Sequence, residues 1–259
     1  MKTVKLKSDY KRIQSLISVL RDLDKVNSMV RFKLFKDKIM LYSTAKNDLG
    51  AVLAIKSYIH DISDFFDVVE MDEDIDYILD DCKKFIKNLC FFRPDANIKG
   101  KFTIRKTGDV TYVNPLSMSD GRFSFDSNGV ELRHMRDITY ETLMELFDKN
   151  PQHWKVKLNS VDFEDVISAC RINDGDEDKI VSFIKKDDKF IATESLVWKL
   201  DIGEVTNLEN NEDTTLTFHK KYLYALKKYG EELEFIVYGN FFLFKNGNQY
   251  YMIAYEKSY

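Results

Sequence analysis

Carboxylate side chains have the clearest capacity for chemistry in this sequence, because they gather in short acidic runs. The run from Asn173 to Asp178 could offer oxygen ligands to a divalent cation, but no glutamate stands at the closing position of a calcium-binding loop. The run from Glu70 to Asp76 opens a predicted helix, where acidic side chains interact favourably with the helix dipole. We therefore interpret the first run as an acidic turn and the second as the acidic approach to a helix, without a metal in either.

Other catalytic motifs are missing from the sequence. The histidines do not stand at the spacing of paired metal ligands, and there is neither a phosphate-binding loop with its lysine nor a nucleophile-elbow motif. Cys82, Cys90 and Cys170 are odd in number and fit no zinc-binding spacing, which indicates reduced thiols in an intracellular protein. The sequence therefore predicts a protein that is not an enzyme and that requires no cofactor and no metal.

Basic side chains, in contrast, recur on predicted helices. Apolar residues at helical spacing mark about 8–24, 73–90, 160–171 and 219–229. Lysine and arginine occupy the opposite face of the first, second and fourth helix, whereas the third also carries acidic residues. Lysines on any single helix are usually only solvated, but their recurrence in a chain of net charge -4 favours contact with phosphates. Such contacts weaken with salt and carry no sequence information.

The chain also repeats itself. The segment 4–8 (VKLKS) returns 152 residues later as 156–160 (VKLNS). Each copy is followed by a helical pattern and then by a β-hairpin pattern, at 35–43 in the first half and at 184–192 in the second. The shared order predicts an internal duplication, with two domains of one design.

Strand patterns outnumber helical patterns in both halves. Apolar and polar residues alternate in many short segments between turn signals, which is typical of antiparallel strands. The sequence therefore predicts an α+β fold with the helices on one side of the sheets. We place an N-terminal domain at 1–135, an interdomain connector at 136–152 and a C-terminal domain at 153–259. No apolar run reaches the length of about 18 residues that a transmembrane helix requires.

Four segments, taken in order, resemble a known family. The segments 17–23 (ISVLRDL) and 37–44 (DKIMLYST) resemble the first inner helix and the following hairpin of DNA sliding clamps of the proliferating-cell-nuclear-antigen and T4-like phage type. The segments 216–223 (LTFHKKYL) and 249–255 (QYYMIAY) resemble the entry to the last helix and the C-terminal strand of the same family. The resemblance covers essentially the whole chain and implies the two-domain DNA clamp fold, with antiparallel sheets outside and helices lining one face.

The resemblance also implies a function and a set of partners. Clamps of this kind are processivity factors that encircle duplex DNA as a ring and tether the replicative polymerase. The implied partners are double-stranded DNA bound without sequence preference, a DNA polymerase, a clamp loader and further copies of the chain, as a homotrimer, with no membrane. The implied location is intracellular, in the cytoplasm or nucleoid of a bacterial host for a phage protein and in the nucleus for a eukaryotic one.

The resemblance also implies site residues, namely those at the positions that match the DNA-facing helices and the partner pocket of the family. The residues expected to face DNA are Lys11, Arg12, Arg21, Lys83, Lys84, Lys87, Arg171, Lys220, Lys221, Lys227 and Lys228. The residues expected to line an apolar pocket for partner peptides beside the connector are Thr44, Leu49, Leu143, Leu146, Tyr251, Ile253 and Ala254. Ring closure would use edge strands near 101–114 and 179–186. Within the connector, 143–147 also fits a short helix.

Two alternatives stay open at this point. The chain could be a clamp-fold processivity or accessory factor that acts as a monomer or as one subunit of a hetero-ring. It could also be a metal-dependent nuclease that uses an acidic cluster, although the sequence offers no coherent ligand set for one. The mass of the particle in solution separates a homo-oligomeric ring from a monomer.

Overall fold

Two units, each with antiparallel sheets and short helices, make up the computed structural model of the protein. Unit 1 comprises residues 1–44 and 57–137, and unit 2 comprises residues 45–56 and 138–259. The residues that the structure describes are 2–46, 52–107, 110–113, 115–149, 152–172, 180–186, 189–194, 197–207, 214–224, 232–238, 241–254 and 256–258. The α+β fold class is confirmed, whereas the domain and connector bounds chosen from the sequence stay a prediction.

Unit 1 is built from two groups of paired strands and two α-helices. Its elements are β1 (Lys2–Ser8), α1 (Tyr10–Leu23), β2 (Val30–Leu34), β3 (Lys38–Lys46), β4 (Val52–Asp61), β5 (Asp67–Met71), β6 (Ile75–Leu79), α2 (Cys82–Leu89), β7 (Ile98–Thr107), β8 (Val110–Val113), β9 (Ser117–Ser119), β10 (Ser124–Asp126) and β11 (Gly129–Val130). The strand order is β10-β9-β7-β1-β5 in the first group, where β8 also pairs with β7, and β11-β6-β2-β3-β4 in the second. The end of β3 and the first half of β4 are assigned to unit 2.

The first group of strands is organised around β1. Val4 and Leu6 are buried whereas Lys5 and Lys7 are exposed, because successive side chains of a strand point to opposite faces. β1 pairs antiparallel with β5 on one side and with β7 on the other. Asp9 ends the strand and begins α1, since its carboxylate accepts a hydrogen bond from a backbone N–H of the first helical turn (2.9 Å).

The second predicted helix, 73–90, is wrong over its first half. Ile75, Ile78 and Leu79 lie in strand β6, which pairs with β2 on one side and with β11 on the other. Apolar residues at these positions fit a buried strand as well as a helix, so their spacing could not distinguish the two. The helix begins at Cys82, where the carboxylate of Asp81 accepts a hydrogen bond from the N–H of Lys84 (2.9 Å) and caps the first turn.

Unit 2 is built from one series of paired strands with three helices. Its elements are α3 (Tyr140–Lys149), β12 (Gln152–Asn159), α4 (Ser160–Arg171), β13 (Ile180–Lys186), β14 (Lys189–Glu194), β15 (Trp198–Asn207), β16 (Thr214–His219), α5 (Lys220–Leu223), β17 (Glu232–Tyr238), β18 (Phe241–Asn246), β19 (Gln249–Ala254) and β20 (Glu256–Ser258). The strand order is β19-β18-β17-β12-β15-β14-β13-β16-β20. Helix α3 occupies most of the predicted connector, so the segment 143–147 is helical, as its sequence allowed.

The internal duplication is confirmed by the position of the repeated segments. The first copy, 4–8, lies in β1, which has a partner strand on both sides and leads directly into α1. The second copy, 156–160, spans the end of β12 and the start of α4, and β12 likewise has partners on both sides, β15 and β17. The repeated hairpins are β2–β3 and β13–β14. Both halves therefore use the same strand–helix–hairpin order.

The predicted ring edges are corrected by the strand pairing. Segment 179–186 corresponds to β13, which is paired on both sides, with β14 and with β16. Segment 101–114 includes β7, which is also paired on both sides, and only β8 within it has a single partner. A strand whose N–H and C=O groups are already paired on both sides cannot add another strand. Strands of the described part with one free side include β5 and β8 in unit 1 and β20 in unit 2.

Two of the three cysteine thiols are buried and one is exposed. Burial raises the pKa of Cys82 to about 12, with Asp24 and Asp81 adding to the effect. Burial also raises the pKa of Cys170 to about 11, opposed by the charge of Lys220. Because the thiolate is the reactive form, both thiols are protected by their protonation as well as by their burial.

We expect iodoacetamide at mildly alkaline pH to modify Cys90 within minutes and to leave Cys82 and Cys170 unmodified in the folded protein. Peptide mass spectrometry of the alkylated protein measures the result. Unfolding in guanidinium chloride before alkylation is the control and should give three modified cysteines. Rapid modification of Cys82 without denaturant would contradict the packing of α2 described above.

Candidate functional site

Helix α1 presents one apolar and one polar face. Ile13, Leu16 and Leu20 are buried with its other apolar residues, whereas Lys11 and Arg21 are exposed. The helix is fixed at its C-terminal end, where the hydroxyl of Tyr58 in β4 donates a hydrogen bond to the buried carboxylate of Asp22. The basic residues of α1 therefore point away from the core because the apolar stripe and Asp22 determine the rotation of the helix.

Helix α2 has the same division and lies beside α1. Phe85 is buried, and its ring contacts Phe125 of β10 (centroids 5.6 Å apart). The thiol of Cys82 donates to the carbonyl of Leu20 in α1 (3.5 Å). The exposed residues of α2 include Lys83, Lys84 and Lys87. Unit 1 therefore brings together the exposed cations of two neighbouring helices.

Three carboxylates modify the charge of this surface. Lys83 lies 4.0 Å from Asp24, whose pKa is raised by burial although Lys83 opposes the shift. Arg12 is bound to Asp67 (2.7 Å) and has Asp9 at 3.7 Å. The hydrogen bond with Asp67 is the main cause of the raised pKa of Arg12. Arg12 is thus less available to a phosphate than the other basic residues of unit 1.

Among the helix residues of unit 2 that the structure describes, fewer basic side chains are exposed than on α1 and α2. Arg171 is exposed at the end of α4, with its guanidinium 6.0 Å from the ring centre of Tyr224. Lys221 of α5 is exposed, with its ammonium group 5.4 Å from the ring centre of Tyr222. Glu164 is exposed on α4, so the acidic character predicted for this helix is present in the fold.

Lys220 was expected to face DNA, and this expectation is wrong. Its side chain is 1% exposed, and its ammonium group lies 2.6 Å from the carboxylate of Glu194, which is itself buried. It also donates to the carbonyl of Cys170 (3.2 Å), while the indole of Trp198 donates to Glu194 (2.9 Å). The two adjacent lysines look alike in the sequence, but Lys220 continues the alternation of β16 in phase with the buried residues Leu216 and Phe218 and therefore points inward.

Three predicted site residues lie outside the described residues. They are Leu49 of the partner pocket and Lys227 and Lys228 of the DNA-facing set.

The predicted partner pocket divides between the two units. Thr44 is buried and belongs to unit 1, whereas the other described members belong to unit 2. Within unit 2, Leu143 is fully buried in α3 and Leu146 is half-buried. Burial, and then the nearby Tyr140 of α3, raise the pKa of Tyr250 in β19, which places the start of α3 near β19.

Strand β19 contributes both core and surface to this region. Tyr251 is buried, its hydroxyl donates to the carbonyl of Tyr222 (2.7 Å), and its ring lies 5.3 Å from the ammonium group of buried Lys56. Ile253 is fully buried, whereas Ala254 is exposed. Tyr251 and Ile253 are therefore core residues of unit 2, whereas Ala254 lies on its surface.

An ionic cluster around two buried cations, which the sequence interpretation missed, fixes the residues before α3. Arg31 of β2 donates twice to Asp76 of β6 (2.6 Å each) and once to the carbonyl of Met135 (2.9 Å). Its neighbour Lys33 is hydrogen-bonded to Asp137. All five residues of β2 are buried. Two cations within an otherwise apolar strand were therefore the sign in the sequence that carboxylate partners must lie nearby. The cluster holds the last residues of unit 1 against β2.

No group of metal-ligating side chains is present among the described residues. The acidic run from Asn173 to Asp178 lies wholly outside the described residues. In the acidic run of unit 1, Glu70 is bound to Lys5 and to the hydroxyl of Thr3, so its carboxylate has protein partners. Within the same described part, no helix is long and apolar enough to span a membrane.

Comparisons with known proteins concern the fold. No protein-family model matches the chain, and no curated protein matches it significantly. Among solved structures, the chain is similar over its full length to the Helicobacter pylori β clamp in complex with 5-chloroisatin, with 12% identity and a TM-score of 0.67. The chain has the fold of a DNA sliding clamp.

Two further clamp structures extend this result. The proliferating cell nuclear antigen of Thermococcus kodakaraensis is 12% identical with a TM-score of 0.62, and the match covers 98% of this chain and 100% of that one. The Helicobacter pylori β clamp bound to a DNA ligase peptide is 14% identical with a TM-score of 0.63 over 98% of this chain. The chain spans 64% of the length of the first bacterial clamp, so it is similar to part of that protein and to the whole of the archaeal one.

We expect Lys220→Met to destabilise unit 2 by about 3–5 kcal/mol, because it leaves the carboxylate of Glu194 buried without its cation. Urea unfolding followed by tryptophan fluorescence measures the change, since Trp154 and Trp198 both belong to unit 2. The double variant Lys220→Met with Glu194→Gln should recover much of the loss. The matched control, Lys221→Met, should cost less than about 1 kcal/mol.

Proposed function

We propose that the chain is a DNA polymerase processivity factor, a sliding clamp that encircles duplex DNA as a ring of identical subunits. The observation that carries this proposal is the pair of neighbouring helices α1 and α2, which expose basic side chains from a clamp fold. Lys11, Arg21, Lys83, Lys84 and Lys87 form this surface, which we call the basic face of unit 1. A surface of separate, flexible cations suits contact with phosphates at any position along DNA.

The basic face favours retention by topology over tight binding. The exposed lysines bind DNA through counterion release, so each adds a small, salt-dependent amount of affinity. Such contacts do not select a sequence and can be exchanged for the next phosphate as the protein moves. A closed ring would therefore keep the protein on DNA while the contacts themselves stay weak, which is what a processivity factor requires.

The proposal includes partners and excludes catalysis. The region of α3 and β19 around Leu146 and Ala254 is our candidate for binding the tails of a polymerase and a clamp loader. The complex of the Helicobacter pylori β clamp with a DNA ligase peptide supports a peptide-binding role for this fold. We propose that the chain acts as a non-enzymatic tether inside the cell, wherever the DNA of its source is replicated.

We expect the triple variant Lys83→Gln, Lys84→Gln and Lys87→Gln to bind duplex DNA more weakly and with a smaller salt dependence. The slope of log K against log salt should fall by about 0.9 for each lysine that contacts a phosphate. Fluorescence anisotropy with a labelled duplex, measured at several salt concentrations, gives this slope.

The matched control replaces the same number of exposed lysines elsewhere, with Lys36→Gln, Lys186→Gln and Lys199→Gln. This variant has the same net charge as the first but should keep most of the affinity and salt dependence. Equal losses in both variants would mean that net charge alone attracts DNA and that the basic face of unit 1 has no special role.

Ring formation is tested separately, by mass and by topology. We expect a particle of about 90 kDa in solution for a homotrimer, given 30.5 kDa for one chain. After loading onto DNA, the protein should remain on a nicked circle and leave the same DNA once it has been cut to a linear form. A monomer at micromolar concentration, with equal retention on both forms, would instead support the alternative of a monomeric accessory factor.

A further inference from the structure

A groove of about 410 Å³ crosses the outer face of the first group of strands in unit 1. It runs over four neighbouring strands, β1, β7, β9 and β10, and reaches Val69 of β5 at one end. Phe125 of β10 turns its ring toward α2 on the opposite side of the sheet. The groove therefore lies on the sheet face that points away from α2, and it belongs neither to the basic face of unit 1 nor to the region of α3 and β19.

The strand register explains how the groove is built. Leu6, Gly100, Met118 and Phe125 lie opposite one another on successive strands and form the row at its base. A second row flanks this base on each side, and both rows run from β1 through β7 and β9 to β10. One row consists of Lys5, Lys101, Ser117 and Asp126. The other consists of Lys7, Lys99, Ser119 and Ser124. Because side chains alternate along each strand, both flanking rows point outward and form walls around the base.

Lysines face one another across strands in both walls. Lys5 is opposite Lys101, and Lys7 is opposite Lys99. Like charges in directly opposed positions destabilise a sheet. Each row continues on β5 with a carboxylate, Glu70 opposite Lys5 and Asp67 opposite Lys7. Both carboxylates already have a partner, Glu70 in Lys5 and Asp67 in Arg12. The hydrogen bond from Lys5 lowers the pKa of Glu70, and the charge of Lys101 also lowers it. Lys7, Lys99 and Lys101 form no ion pair within the part of the chain that the structure describes.

The two ends of the groove differ in charge. The lysines occupy the end formed by β1 and β7, where Val69 is 52% exposed. The end formed by β9 and β10 carries serines and Asp126, whose carboxylate accepts a hydrogen bond from Ser117. A nucleic-acid backbone is negative along its whole length and would meet Asp126, whereas a peptide can have carboxylates at one end and neutral residues at the other. The observed charge distribution therefore favours a peptide.

We propose that this groove binds an extended acidic segment of a partner protein, with its carboxylates between the lysines and an apolar side chain against Val69. The two walls are about 7 Å apart, because they are separated by two residues along each strand. The distance from β1 to β10 is about 14 Å for three strand spacings, which an extended chain of about four residues covers. The surface would give a clamp subunit a second contact for partners, independent of DNA.

The probe for this proposal is a short fluorescein-labelled peptide in which glutamate, leucine and glutamate are followed by serines. We expect saturable binding by anisotropy at low salt, weakened by about tenfold or more in the variant Lys7→Gln with Lys99→Gln, since charged contacts are lost. The control variant Lys36→Gln with Lys38→Gln should bind the peptide as the unchanged protein does. Circular dichroism confirms that both variants are folded.

Two further probes separate the possible ligands. The same peptide with glutamine in place of glutamate should bind at least about tenfold more weakly, and a single-stranded oligothymidine should bind without dependence on Lys7 and Lys99. Asp126→Lys should allow oligothymidine to bind in the groove while the glutamate peptide is retained. Three results would overturn the proposal. The first is that the glutamate peptide does not bind at millimolar concentration, and the second is that both lysine variants bind it with equal affinity. The third is that oligothymidine binds more tightly than the peptide and that this binding is lost when Lys7 and Lys99 are replaced.

Discussion

One-sided burial of the central strands is the constraint on which the rest of this structure depends. In β1, Val4 and Leu6 are buried, so Lys5 and Lys7 must point outward. A shift of the register by one residue would bury the lysines and expose the apolar side chains, so the register is strongly specified. The helices then have to pack on the apolar side, and their own basic residues are turned away from the sheet. The cations of unit 1 are thereby divided between a helical surface and a strand surface.

Charges inside the fold have a different role from those on its surface. Lys220 with Glu194 in unit 2 is a buried pair in which each charge has a further hydrogen-bond partner, and in unit 1 the buried Arg31 is paired with the half-buried Asp76 and also donates to a backbone carbonyl. Such pairs add little net stability compared with apolar residues, but losing one partner is costly. They therefore act as constraints on geometry. Arg31 in particular makes the position of Met135, near the end of unit 1, depend on the pairing of β2 with β6.

The sequence was informative where the apolar periodicity was unbroken. The first helix and the helix at 160–171 were predicted closely, because their apolar spacing was continuous over several turns. The segment from Ile75 to Leu79 was assigned wrongly, because five apolar-rich residues suit a buried strand or a helix equally and only pairing with β2 and β11 decides between them. The strand edges were also missed, since pairing partners distant in sequence leave no local pattern.

Surface position was harder to predict than secondary structure. Lys220 and Lys221 are adjacent and chemically identical, yet one is buried against Glu194 and the other is exposed. Their difference depends on where β16 ends and α5 begins, and an uncertainty of one residue in that boundary reverses the outcome. Arg12 also could not be distinguished from Lys11 without knowing that Asp67 lies within reach. Charge on a helix therefore predicts a basic face as a whole better than it predicts any individual contact.

The division of cations also separates two kinds of binding that a ring-forming tether would need. DNA inside a closed ring is retained by topology, so the helical lysines can remain exposed, separate and individually weak. A partner protein is not enclosed, and its retention depends on affinity alone. The lysines of β1 and β7 meet that requirement better than the helical ones, because they are held in register and are concentrated at one end of a groove. The same alternation that directs Lys5 and Lys7 outward therefore provides a surface with defined geometry, which flexible side chains on helices do not.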